Sequence, residues 1–157
     1  MKFVIISPHP DDELIGCFTL LRSKKIEKVY YIRSDTKRHV EAQILSRKMG
    51  FKLEFITLND FTKLPDTFTY LVPDFQDHHP LHKIVNSLAK ISFTSLGYYT
   101  TDMNTSYVRE LPSKLQREKK EMLNKFYPSQ KSLWKYEHKY FLFEGIIYDL
   151  LTSTTSS

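Results

Sequence analysis

Two short stretches of this sequence concentrate the side chains that can do chemistry. The first, Ser7-Pro8-His9-Pro10-Asp11-Asp12-Glu13, sets one imidazole beside three consecutive carboxylates. The second, Pro73-Asp74-Phe75-Gln76-Asp77-His78-His79-Pro80-Leu81-His82, adds three imidazoles, so four of the six histidines fall in these two places. A catalytic zinc site typically takes three protein ligands from His, Asp and Glu and leaves a fourth position open. His9, Asp12 and His82 meet that count: the short step from His9 to Asp12 lets one loop present both, and the distant His82 closes the site. The same residues have a purely structural reading, since Asp is a favoured N-cap and first-turn residue and a histidine-rich helix start can simply be solvated.

The elements that must position these stretches are legible around them. Phe3-Val4-Ile5-Ile6 is a short β-branched run that reads as a buried strand feeding the first loop. Leu14, Ile15, Phe18 and Leu21 then follow helical spacing, with Asp11, Asp12 and Glu13 at the favourable positive end. The alternation recurs: Val29-Tyr30-Tyr31-Ile32 as a strand, Val40, Ile44, Leu45 and Met49 as one face of a helix stopped at Gly50, and Leu53 to Ile56 as a third strand. Tyr70-Leu71-Val72 supplies a fourth strand, His79 to Ile91 a helix, Ser95 to Tyr99 a strand and Leu115 to Phe126 a charged amphipathic helix. Strands alternating with helices predict an α/β fold with a mainly parallel sheet. Ligands of such sheets bind beyond the carboxyl ends of the strands, where both reactive stretches lie.

A chain of 157 residues with 41% hydrophobic content is expected to form one domain, 1–151, followed by a polar tail, 152–157. The net charge of +5 is spread among interspersed acidic residues, without the basic stripe and stacking aromatics that single-stranded nucleic-acid binders use. The single cysteine, Cys17, has no intramolecular disulfide partner, and the apolar run at the start is too short to span a bilayer. The expected setting is cytoplasmic, with neither membrane nor nucleic acid as partner.

Pro8-His9-Pro10-Asp11-Asp12-Glu13 followed by Ile15-Gly16-Cys17 resembles the first signature of the PIG-L/LmbE-like zinc N-deacetylases. Asp77-His78-His79-Pro80-Leu81-His82 resembles their second signature, His-Pro-Asp-His, with Leu81 in place of its aspartate. Arg38 with Glu41 and Gly50, and Lys120 through Tyr127-Pro128-Ser129-Gln130, extend the likeness along nearly the whole chain. The resemblance implies a three-layer Rossmann-like fold in which His9, Asp12 and His82 hold zinc, Asp11 is the general base and His79 the acid. It implies that the substrate is an N-acetylated amino sugar of the N-acetylglucosamine type, reached by Arg38. The same two-His, one-carboxylate set also suits iron or cobalt. Tyr98 and Tyr99 end a strand beside the loop 100–112, where an aromatic face can stack on a sugar and Tyr98 is the expected substrate contact, with packing in the core as the competing reading.

Two alternatives remain at the level of sequence: a metallo-amidase acting on an acylated non-sugar amine, and a catalytically weakened zinc protein or acidic-ligand binder. Leu81 and the chain's shortness favour the second. Removing the aspartate is expected to leave His79 with a lowered pKa, because a neighbouring negative charge would stabilise imidazolium.

Overall fold

The computed structural model describes residues 1–148; the domain edge at 151 and the tail 152–157 lie outside the described residues. Five strands run parallel: β1 (Phe3–Ser7), β2 (Ile26–Ile32), β3 (Lys52–Ile56), β4 (Thr69–Pro73) and β5 (Leu96–Thr100). Two more, β6 (Arg109–Glu110) and β7 (Phe143–Tyr148), extend the sheet antiparallel beyond β5, giving the order β3-β2-β1-β4-β5-β7-β6. The helices are α1 (Asp12–Arg22), α2 (Thr36–Met49), α3 (Pro80–Ser92), α4 (Ser113–Phe126), α5 (Lys131–Lys135) and α6 (Lys139–Leu142), with a 3-10 turn at Pro128–Gln130. The expected α/β, Rossmann-like, mainly parallel architecture is what the chain adopts.

Side-chain alternation along the strands divides the core into two layers. Phe3 and Ile5 of β1, with Tyr31, Leu71 and Tyr99, pack against α1, α2 and α4, whereas Val4 and Ile6, with Tyr30, Tyr70 and Val72, pack against Val85 and Ala89 of α3. Both faces of β1 are therefore apolar, which is why it reads as an unbroken hydrophobic run rather than an alternating one. β1 pairs with β2 on one side and β4 on the other. The chain winds outward through β2 and β3, then returns to β4 and β5, so the winding direction reverses between β1 and β4. That reversal opens a crevice at the strands' carboxyl ends, and the loops leaving β1 and β4 are the two reactive stretches.

Helix α1 is not regular. Cys17 departs from helical geometry at φ −128°, ψ 29°. The Thr19 N–H, which an unbroken helix would aim at the Ile15 carbonyl, instead donates to Glu144 Oε1 at 2.9 Å, and the Ile15 carbonyl accepts from Lys119 Nζ. Lys119 and Glu144 are almost completely buried, at 0% and 1% exposure. Each satisfies one of the backbone groups that the break releases, as burial of polar groups requires.

Gly16, one residue earlier, is fixed by contact: a Cβ there would lie 2.2 Å from Tyr99 Cδ2. Tyr99 cannot withdraw, because it is fully buried and its hydroxyl donates to the Ile6 carbonyl at 2.8 Å.

Two expectations need correction. Val40 and Ile44 do not join the core face of α2; they are 47% and 48% exposed, and Glu41, Ala42, Leu45 and Ser46 are the buried positions. The apolar spacing misled because Glu41 is drawn inward by a hydrogen-bond partner, Ser129, far along the chain. Strands β6 and β7 were not anticipated. β7 starts directly at the end of α6, and its burial does not alternate cleanly, so it lacks a strand signature.

Gly16→Ala is expected to destabilise the protein by about 1–3 kcal/mol, the usual cost of overpacking a filled core. Chemical denaturation reads this directly; an unchanged midpoint would show that the Tyr99 ring has room to move.

Candidate functional site

The loop after β1 turns sharply into α1. Asp12 N–H donates to the His9 carbonyl at 3.1 Å, and the Asp11 carbonyl accepts from Leu14 N–H at 3.0 Å and Ile15 N–H at 2.9 Å. Asp11 stands at φ 128°, a conformation rare for any residue but glycine and one that costs on the order of 1–3 kcal/mol. Glu13 holds it there: Glu13 Oε2 accepts the Asp11 N–H at 3.0 Å, and Glu13 Oε1 accepts from the Tyr127 hydroxyl. Asp11 occupies the N-cap position of α1 but makes no side-chain capping bond, so its carboxyl group is not consumed by helix capping.

The loop after β4 delivers the histidines. His79 caps α3, its Nδ1 accepting the Leu81 N–H at 3.1 Å. His82, in the first turn, is 3% exposed. Its Nδ1 lies 2.9 Å from Asp77 Oδ2 and its Nε2 lies 3.0 Å from Asp12 Oδ2. Asp12 Oδ2 is also 3.3 Å from His9 Nδ1. The rings of His9, His79 and His82 stand together, His9 meeting His79 edge-on at 4.5 Å between centroids, and one nitrogen from each lies within 4.8 Å of the others. This group can hold a metal ion.

Behind His82, Asp77 is fully buried and accepts from Thr100 Oγ1 at 2.7 Å, Thr101 Oγ1 at 2.9 Å and Thr101 N–H at 3.1 Å. A carboxylate behind a ligating imidazole fixes its tautomer and orientation.

Charge in the cluster is unevenly shared. Burial resists charge on both Asp12 and His82, yet their mutual attraction prevails: Asp12 is held well below the usual carboxylate range, and His82, with carboxylates on both sides, is raised to about 10. Burial pushes Asp11 up, reinforced by Asp12 and Glu13 and opposed by Arg38 and His82. Burial likewise raises Glu13 to about 7, against its hydrogen bonds from Tyr127 and Asp11. His79 is lowered, as expected, but by burial and by the neighbouring His9 and His82. The Leu81 side chain packs toward the α3 core layer, and its N–H donates to His79 Nδ1. Asp102 supplies a carboxylate near His79 and opposes the shift.

A cavity of about 260 Å³ opens on this cluster, lined by His9, Asp11, Asp12, His79 and His82. Arg38, Thr101, Asp102, Gln130, Leu133 and Tyr140 complete its wall. Of the site residues read from sequence, the structure thus brings six together and leaves one out. Tyr98 does not line the cavity; it packs with the α3 layer, near Lys90. Strand alternation sends Tyr99 into the opposite layer, so neither tyrosine offers a face to the site.

Sequence reading missed Asp77 as the partner of His82, and Asp102, Gln130 and Tyr140 as wall residues. Only Asp77 left a signal, as a carboxylate shortly before a helix-borne histidine. The Arg38 guanidinium donates to Gln130 Oε1, and its Nε lies 3.9 Å from Asp35 Oδ2.

No family model matches this chain, and neither does any curated protein.

Asp77→Asn is expected to keep the fold but weaken metal binding by ~10–100-fold, the usual cost of losing a carboxylate behind a ligating histidine. Competition against a chelator measures this; affinity equal to the parent protein would remove Asp77 from the site.

Proposed function

We propose that this chain is a metal-dependent hydrolase that removes the acetyl group from an N-acetylated amino sugar, with zinc as the metal. The observation that carries the reading is the convergence of His9 Nδ1 and His82 Nε2 on one oxygen of Asp12, at 3.3 and 3.0 Å, with Asp11 on the same cavity wall. Donors each ~2.1 Å from a tetrahedral centre stand about 3.4 Å apart, so these separations fit a zinc ion with little rearrangement. The mixed nitrogen and oxygen donors, and the Asp77 bond to the far side of His82, suit zinc as well.

His79 is assigned to chemistry rather than ligation. Its Nδ1 is occupied as an acceptor by the Leu81 N–H, so the neutral ring carries its hydrogen on Nε2. His9, Asp12 and His82 are assigned as the three ligands, the set that the resemblance to the zinc N-deacetylases implies.

A divalent metal held there supplies Lewis acidity toward an acetyl carbonyl and activates water near neutral pH. The protein's own groups do the rest. Asp11, adjacent to a ligand but not itself one, accepts the proton of the attacking water at its carboxylate. His79 Nε2–H donates to the carbonyl oxygen as negative charge grows on it, and the proton that Asp11 took from the water passes to the leaving nitrogen as the C–N bond breaks. The cavity, at about 260 Å³, lies just below the usual range of ~300–1,000 Å³ for ligand pockets.

The test is a panel of N-acetyl sugars, sugar nucleotides and acylated non-sugar amines, with free amine as the readout. Turnover of a sugar is expected; turnover confined to non-sugar amides would replace the substrate class, and no turnover of any amide by metal-loaded protein would overturn the reading. His82→Ala is expected to lose the metal, because a remote third ligand has no local substitute. Asp11→Asn is expected to keep the metal and lose ~10²–10⁴-fold in rate; near-normal turnover in that variant would exclude Asp11 as the base.

A further inference from the structure

Arg38 lines the same cavity as the histidine and aspartate cluster, and a guanidinium on a flexible stem recognises a ligand only if something fixes its plane. The structure holds a closed set of hydrogen bonds that does so. Helix α2 carries Arg38 and, one turn later, the buried Glu41. Glu41 reaches the turn after α4: Ser129 N–H donates to Glu41 Oε2 at 3.1 Å, and the Ser129 hydroxyl donates to Glu41 Oε1. Gln130 Nε2 donates to Ser129 Oγ at 3.1 Å, and Gln130 Oε1 accepts from Arg38 Nη2.

The direction of every bond in this relay follows from its first member. A carboxylate only accepts, so the single hydroxyl hydrogen of Ser129 is committed to Glu41. Ser129 Oγ is left as an acceptor, which requires the NH₂ side of the Gln130 amide to face it. The carbonyl side of Gln130 then faces Arg38, where an amide turned the other way would set donor against donor. We infer that Gln130, oriented through Ser129 by Glu41, is a positioning residue that fixes the Arg38 guanidinium against the cavity and so determines which oxygen-bearing substrates the site accepts. Arg38 has five N–H donors, so one bond to Gln130 leaves most of its fork for a hydroxyl or anionic oxygen of the ligand.

This rests on the proposed function for its kinetic consequence but not for its structural one, and the two are separately measurable. With N-acetylglucosamine as the probe, Gln130→Ala is expected to raise KM about tenfold, the loss expected when a charge-assisted hydrogen bond is removed, while kcat changes by less than about twofold. Gln130→Glu, which retains an oxygen facing Arg38 but sets a second acceptor against Ser129 Oγ, is expected to recover only part of that loss. In an Arg38→Ala background Gln130→Ala is expected to add nothing, because a residue that acts through another has no effect once the other is gone. Full additivity in the double variant would overturn the inference.

The structural readout is independent of turnover. NMR signals of the Arg38 Nη hydrogens are expected to be resolved in the parent protein and averaged in Gln130→Ala. Equally ordered signals in both would overturn the inference even if the enzyme is active. Absence of N-acetylglucosamine turnover with the signals behaving as expected would overturn the substrate assignment and leave the positioning role standing.

Discussion

Three consecutive carboxylates, Asp11, Asp12 and Glu13, are buried at 3%, 5% and 0% exposure, and much of the surrounding structure exists to make that tolerable. An isolated buried charge is too costly to keep, so each of the three has its own arrangement. Asp12 is matched by His9 and by His82, whose other face is held by Asp77. Glu13, raised to about 7, accepts from Tyr127 and from the strained Asp11 backbone. Asp11 alone has no committed side-chain partner, only the more distant charges of Arg38 and His82. The carboxylate left least satisfied by its neighbours is the one proposed above as the base.

Those arrangements tie the site to distant parts of the chain. The β1 loop is held by Tyr127 at the end of α4, the β4 loop by Thr100 and Thr101 at the end of β5, and the start of α2 by Ser129 and Gln130. Residues from 127 to 130 reach Glu13, Glu41 and Arg38 within one turn of chain. The break in α1 at Cys17 is handled in the same manner, by Lys119 from α4 and Glu144 from β7. The antiparallel extension β7 therefore contributes to the helix that opens at the loop after β1 as well as extending the sheet.

The parts of this structure that were legible in the sequence are those governed by local rules. Strands β1 to β5 and helices α1 to α4 follow from apolar runs, helical spacing and Gly50, and the strand-helix alternation gives the parallel sheet. The meeting of His9, Asp12 and His82 was readable from residue type because both loops follow apolar strands. What escaped depends on partners far apart in sequence: Asp77 serving His82, Gln130 turning toward Arg38, and Glu41 buried where periodicity placed Val40. Tyr98 lies outside the cavity lining because strand alternation and the layer it faces, not nearness in sequence to the loop, decide where a ring points.

The central claim is that two imidazoles and one carboxylate hold a single divalent metal at the crevice between β1 and β4. X-ray absorption at the zinc edge, on protein loaded with one equivalent of zinc, tests it most directly. The account predicts stoichiometric binding, a first shell of nitrogen and oxygen only, and outer-shell scattering from two imidazole rings. Scattering from three rings, a sulfur in the first shell, or failure to retain one zinc per chain would contradict it.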